Sequence, residues 1–349
     1  MKRLRLGLAL ALSLAPTLLV GPIDRRPSAD LQARESEPRI AVDARPIVDF
    51  RPSEPGRARF GALEFVGGLV LSSRDRRFGG LSALRTRDHG RELLAVTDEG
   101  SWFTARLETD AAGRPARVID ARIAPLRDER GHPLRGKRHI DAEGLTFHDG
   151  AGGVEVLVGF ERDHRVLAYA APTLPDLLDA PGRHLAGLPS AIRDLRSNEG
   201  PEAIAEHPSG APLILIAETA RHGTDRIPAW IVGGPRPGAF ELVSPDGFAA
   251  TDAAHLPNGD LLVLQRAVHF PFRVKMRLVR IAAAELRPGA VVAGEELLAA
   301  DGSHEIDNME GLAVDTAPNG STVLTLVSDD NFSSLQRTLL LRFRLPPTR

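Results

Sequence analysis

The feature that most constrains this chain is a phrase that it repeats. Asp141-Ala142-Glu143-Gly144-Leu145-Thr146-Phe147 reads as a strand opening on acids. A turn at Asp149-Gly150 follows, and a second strand, Val156 to Phe160, ends on Glu161. The phrase returns as Asn198-Glu199-Gly200-Pro201-Glu202 ahead of Leu213-Ile214-Leu215-Ile216-Ala217-Glu218, and as Asn308-Met309-Glu310-Gly311-Leu312 ahead of Leu324 to Asp329. Weaker copies run from Gly79-Gly80-Leu81-Ser82 to Asp98 and from Thr251-Asp252-Ala253 to Gln265-Arg266. The copies are spaced by roughly 50 to 64 residues, the long end of a propeller repeat. Each unit is too small to bury its own apolar face, whereas units in a ring bury one another and leave only short edges. The expected fold is therefore all-β, a β-propeller with five visible repeats and five or six blades, a sixth being able to hide in the connections Ile227 to Val243 and Glu285 to Ala300.

The rest of the chain fits around that ring. Turn pairs at Ser209-Gly210, Asn258-Gly259 and Asn319-Gly320 fall in the same slot of successive repeats, where a hairpin needs them. Phe60 to Leu71 recovers strand character and can close the circle against the last repeat, whose final strand candidate is Arg337 to Leu345. The propeller is placed at 59–346. Residues 23–58, rich in Pro and Arg, read as a linker or lead-in. Residues 1–22 begin with Lys2, Arg3 and Arg5 and continue in an apolar run from Leu6 to Val20, the pattern of a signal peptide or an N-terminal anchor. The expectation is an exported protein, periplasmic or secreted or held at the inner membrane, touching a membrane only through that anchor.

Composition narrows the chemistry. With no cysteine, disulfides, thiolate metal sites and thiol nucleophiles are excluded. A net charge of −2 gives no general attraction to nucleic acid. The only lysines are Lys2, Lys137 and Lys275, so an anion site must be built mainly from Arg forks. There is no G-x-S-x-G elbow and no H-E-x-x-H helix. Gly131-His132-Pro133-Leu134-Arg135-Gly136-Lys137-Arg138 approaches a P-loop, but Arg138 stands where Ser or Thr should hold magnesium, so it reads as a basic surface loop, or as one whose Arg135, Lys137, Arg138 and His139 overhang the ring mouth.

The repeated acids remain. Glu143, Glu202, Asp252 and Glu310 share one slot, and Asp98, Glu161, Glu218 and Asp329 the other, with Asp330 extending the last. If the strands converge on an axis, these carboxylates gather at one mouth, and hard oxygen ligands of this kind suit calcium. Crowded carboxylates repel, so a cation or Arg partners must offset them. A residue at any one of these positions could instead tie neighbouring blades together through backbone hydrogen bonds.

Asp141-Ala142-Glu143-Gly144-Leu145, Phe160-Glu161-Arg162-Asp163-His164-Arg165, Asn308-Met309-Glu310-Gly311-Leu312 and Ser328-Asp329-Asp330-Asn331 resemble the bacterial, often exported, β-propeller-like domain called esterase-like activity of phytase, over Phe60 to Leu345. The resemblance implies hydrolysis of phosphoester or carboxylic ester bonds. Glu143, Glu161, Glu310 and Asp329 are then candidates to hold a cation or activate water. Arg162, Arg266, Arg138, Asn308 and Asn331 are candidates to bind a small anionic ester or phosphorylated ligand. Two other readings stay open: a non-catalytic binding propeller of the cell envelope, and a lactonase-like enzyme with one metal ion held by several acids and an Asn from among Asn198, Asn308 and Asn331.

Overall fold

The computed structural model describes residues 38–148, 152–196, 199–269 and 273–347. The N-terminal segment, the turn at Asp149-Gly150 and Asn198 lie outside them. Five small antiparallel-based sheets stand as blades around one axis. Blade 1 is Leu81–Arg87, Glu92–Thr97, Ser101–Thr109 and Pro115–Pro125. Blade 2 is Ala142–His148, Val154–Phe160, Arg165–Ala171 and Gly182–His184. Blade 3 is Pro201–Glu206, Leu213–Ala217, Arg226–Val232 and Gly238–Val243, with Val291–Val292 added in parallel at its edge. Blade 4 is Ala249–His255, Leu261–His269, Arg273–Ile281 and Glu295–Ala300. The connections in which a sixth blade could have hidden are outer strands of blades 3 and 4, so the ring has five blades.

Blade 5 joins the two ends of the described chain. Asn308–Thr316, Thr322–Asp329 and Thr338–Leu345 are continued by Leu63–Ser72, which pairs antiparallel with the C-terminal strand. Asp43–Ile47 then adds one more strand at the outside, and Phe50 is fully buried against Phe60, Phe65 and Phe343. Residues 43–50 are thus part of the propeller, and its boundary lies well before position 59. The five innermost strands pack one against the next in a closed circle. Between blades the apolar residues of facing sheets interleave: Ile204, Leu215 and Val263 join blades 3 and 4, and Leu264, Leu326 and Phe343 join blades 4 and 5. The turns at Asn258-Gly259 and Asn319-Gly320 carry glycines at φ +88° and +80°, as tight hairpins require. Among the described residues no helix is long and apolar enough to cross a membrane.

Every innermost strand has a β-bulge at the same place. Ser82, Glu143, Glu202, Thr251 and Glu310 are the extra residues, each lacking a partner opposite. A bulge re-aims the side chain it carries. In two blades the bulged residue ties the ring: Ser82 Oγ donates to the Ala142 carbonyl at 2.5 Å, and Thr251 Oγ1 to the Met309 carbonyl at 3.0 Å, each on the next blade. Removing either hydroxyl strands a buried carbonyl, so Ser82→Ala and Thr251→Val should each cost about 1 kcal/mol. Thermal melts should show a drop of roughly 1–2 °C for each variant.

Candidate active site: an acidic cup closed by an arginine

The register fixes three rings of positions at one end of the axis. Outermost are the residues just before each bulged segment: Gly80, Asp141, Gly200, Ala249 and Asn308. Next are the bulged residues themselves. Facing them, where each second strand ends, are Asp98, Glu161, Glu218, Arg266 and Asp329. The second slot therefore holds four acids and one arginine. In the bulge slot the blade 4 member is Thr251. Asp252 sits one residue further on, at the level of Gly144 and Gly311, and does not belong to the mouth.

Asp252 is fully buried and forms a bidentate pair with Arg85, at 2.8 and 3.0 Å. It also accepts the amides of Leu312 and Ala253, both at 2.7 Å. The Arg85 guanidinium reaches across the axis from blade 1. It donates to the carbonyls of Leu84, Leu312, Ile204 and Ala253 at 2.6–2.7 Å, and so touches blades 1, 3, 4 and 5. Burial pushes the Asp252 carboxyl up, while Arg85 and the two amides hold it down. This plug floors the channel, and the mouth above it is a cup. Nothing in the sequence distinguished Arg85 from an ordinary strand residue.

Two carboxylate triads line the cup. Oxygens of Asp141, Glu143 and Glu161 all lie within 4.8 Å of one another, as do oxygens of Glu161, Glu202 and Glu218, so Glu161 belongs to both. Glu161 and Glu202 are 8% and 7% exposed. Among the described residues no donor hydrogen-bonds the carboxylates of Glu143 or Glu202. Asp141 was the sequence signal left unused: it opens the repeat phrase but carried no assigned role. It is held by Lys137 Nζ at 2.8 Å and Arg162 Nε at 2.5 Å. Lys137 also bonds Asp98 at 2.9 Å, so the loop before blade 2 does overhang the mouth. Burial opposes a charge on Lys137, but its bonds to Asp141 and Asp98 raise its pKa.

The opposite wall is built around Arg266. Its Nη1 bonds Asn308 Oδ1 and Glu310 Oε1, the latter at 2.6 Å, and its Nη2 bonds Glu218 at 3.3 Å. Asn308 Nδ2 donates to Glu310 at 2.9 Å and reaches Asp329 at 3.5 Å. Arg266 and Asn308 are thus in the cup, with the guanidinium engaged by protein acids. Asp330 accepts from Gly80 N, Phe332 N and Thr338 Oγ1, which makes it a loop brace. The Asn331 side chain turns to Gln336. Asp98 lies beside Lys137, its Oδ1 buried without a partner. Arg138 and Arg162 line a neighbouring cleft of about 640 Å³ with His164 and Arg193.

The electrostatics follow from eight carboxyl groups facing few cations. Burial, then mutual repulsion, pushes Glu161 and Glu310 up to about 8 and Asp329 up to about 7. Glu143 and Glu202 are raised well above the usual carboxylate range for the same reasons, and Glu218 and Asp98 are raised as well. A cluster of this kind can bind cations, pass protons near neutral pH, or do both. The donor set is all oxygen, flexible in number and geometry, which fits calcium better than a softer metal.

Comparison with known proteins gives the fold several distant likenesses. The hydrazine synthase of Kuenenia stuttgartiensis is 12% identical over 74% of this chain and 58% of that one, less than two thirds of its length, with a TM-score of 0.34. The β-propeller domain of Cps50 (Swd1) from Myceliophteria thermophila is 9% identical over 88% of this chain and 100% of that one, at 0.40. A thermostable family-43 glycoside hydrolase is 11% identical over 78% and 95%, at 0.47. No curated protein matches the chain. The family model described as Phytase-like, esterase-like activity of phytase, matches residues 76–332, well over half of the sequence, and the chain belongs to that family.

Proposed function

We propose that the cup holds calcium and that the protein is an exported, metal-dependent hydrolase of small anionic esters, phosphoric or carboxylic. The observation that supports this most is the pair of triads sharing Glu161: largely buried carboxylates packed this closely, with Glu143 and Glu202 lacking any donor among the described residues, are costly unless a cation joins them. Asp141, Glu143, Glu161, Glu202 and Glu218 would hold it. When bound, a divalent cation supplies Lewis-acid polarisation of an ester oxygen. On the opposite wall Asp329 and Glu310 have proton affinities near neutrality, which suits giving a proton to a leaving alkoxide and taking one from water. Arg266 and Asn308 hold Glu310 in place, and Arg162 presents an arginine fork at the rim for the substrate's anionic group.

The test is hydrolysis of aryl phosphates and aryl carboxylates by the purified protein, with calcium and with chelator. Turnover should fall at least about tenfold on chelation and return with calcium, and Asp141→Asn should raise the calcium concentration needed. Turnover that ignores both chelator and Asp141→Asn would remove the metal from the mechanism. Calcium-dependent thermal stabilisation with no turnover on any ester would favour a binding propeller instead.

A further inference from the structure

One wall of the cup is not polar. At the outermost position blades 2 and 5 carry Asp141 and Asn308, and Asn308 aims its amide inward at Glu310. Blade 1 has Gly80 there. A side chain on Gly80 would meet Asp98 Oδ1 at 2.3 Å and the ring of Phe332 at 2.6 Å, and one on Gly79 would meet the same ring at 3.0 Å. The ring of Phe332 therefore takes, from blade 5, wall space that a blade 1 side chain would fill. Gly79 and Gly80 have φ +143° and +62°, conformations that favour glycine, so this blade is shaped to receive the ring.

The ring is held there by an uncommon backbone. Asn331 and Phe332 both lie in the left-handed region, at φ +48° and +49°, a true outlier for a residue as bulky as Phe. Asp330 braces the turn, accepting the Gly80 and Phe332 amides at 3.1 Å each and the Thr338 hydroxyl at 2.9 Å. Phe332 nevertheless stays 44% exposed, and Leu335 in the same loop is 90% exposed. Strain of this kind persists where its surroundings over-determine it, and it gathers at ligand clamps. A ring needed only for packing would be buried and could be supplied without such a backbone.

We propose that the exposed face of Phe332 is the subsite for the organic group beside the reacting bond, and that the substrates are esters whose alcohol or acyl part is aromatic or alkyl, not a polyol. The proposal rests on the cation-bridged reading of the cup, which seats the anionic group, and adds what lies next to it. The organic group would lie against the ring and beside Asp98, whose Oδ1 and the ring both crowd the space a Gly80 side chain would take.

The test uses two ligands whose carbon–phosphorus bond cannot be hydrolysed, phenylphosphonate and methylphosphonate, titrated calorimetrically into the calcium-loaded protein. The wild type should prefer the phenyl compound by about tenfold. In Phe332→Asn, a residue that tolerates this backbone, that preference should fall below about twofold, with the melting temperature within about 3 °C of wild type because relieved strain offsets lost packing. A merely structural ring predicts the reverse, a lower melting temperature and an unchanged preference, and would overturn the proposal. Equal affinity of the wild type for both phosphonates overturns the subsite and leaves the cation reading standing. Binding of neither overturns both.

Discussion

Replacing Arg85 with Met is expected to cost about 3–5 kcal/mol and to lower the melting temperature by roughly 5–8 °C. The Met stem can fill much of the space, but the variant leaves the Asp252 carboxylate fully buried without its cation. It also leaves the carbonyls of Leu84, Ile204, Ala253 and Leu312 without this donor, on four different blades. An uncompensated buried charge is the expensive half of a broken pair, so Arg85→Met with Asp252→Leu should recover a good part of the loss. The two substitutions are in direct contact and must couple; denaturant melts of the single and double variants measure that coupling. A single variant within about 1 kcal/mol of wild type would show that the axis is not held by this plug.

The contrast between Arg85 and the carboxylates shows what a sequence of this kind makes legible. The ring was readable because it is written five times: acid, apolar strand, turn and apolar strand recur at a spacing that one geometry satisfies. The same repetition marks Glu143, Glu202, Glu310, Glu161 and Glu218 in the sequence alone. Asp252 was misplaced because its repeat was aligned on chemistry, acid to acid. The bulge makes Thr251 the equivalent residue and sends Asp252 below the cup. Arg85 occurs once, in one blade, so no repetition could mark it, and a charged residue in an apolar strand usually belongs on an edge. The strand Asp43–Ile47 was hidden for the opposite reason. It is an edge strand whose outward residues and Pro46 give it the composition of a linker, and only its pairing with Leu63–Ser72 reveals it. Arg266 is legible in the sequence as a candidate to bind an anionic ligand, but its fork is taken up by Glu310, Asn308 and Glu218. Side-chain pairing across three blades is a property of the closed ring and has no local signature.

Without calcium the protein should become less stable as pH rises from about 5 to about 8.5, by several kcal/mol and roughly 10 °C in melting temperature. Glu161 and Glu310 bind protons up to about pH 8 in the folded state and Asp329 up to about pH 7, whereas unfolded carboxyls release them near pH 4. Between those limits the folded state holds more protons than the unfolded one, so raising the pH favours unfolding; above the folded values the loss is complete. Calcium competes with those protons. Its stabilisation should be small at pH 5 and reach about 2.7 kcal/mol at pH 8 when present at a hundred times its dissociation constant. Glu161→Gln separates the two effects, because Glu161 is the residue common to both triads. The variant removes one of the repelling charges, so at pH 8 its calcium-free form should melt higher than wild type, while its calcium-induced shift is largely lost. Asp141→Asn touches one triad only and should keep part of that shift. Scanning calorimetry at pH 5 and pH 8.5, with and without calcium, reads all of these signs. A calcium-free melting temperature that stays level or climbs with pH would mean that the cup does not concentrate unbalanced negative charge. A Glu161→Gln protein that kept the full calcium shift would place the cation elsewhere.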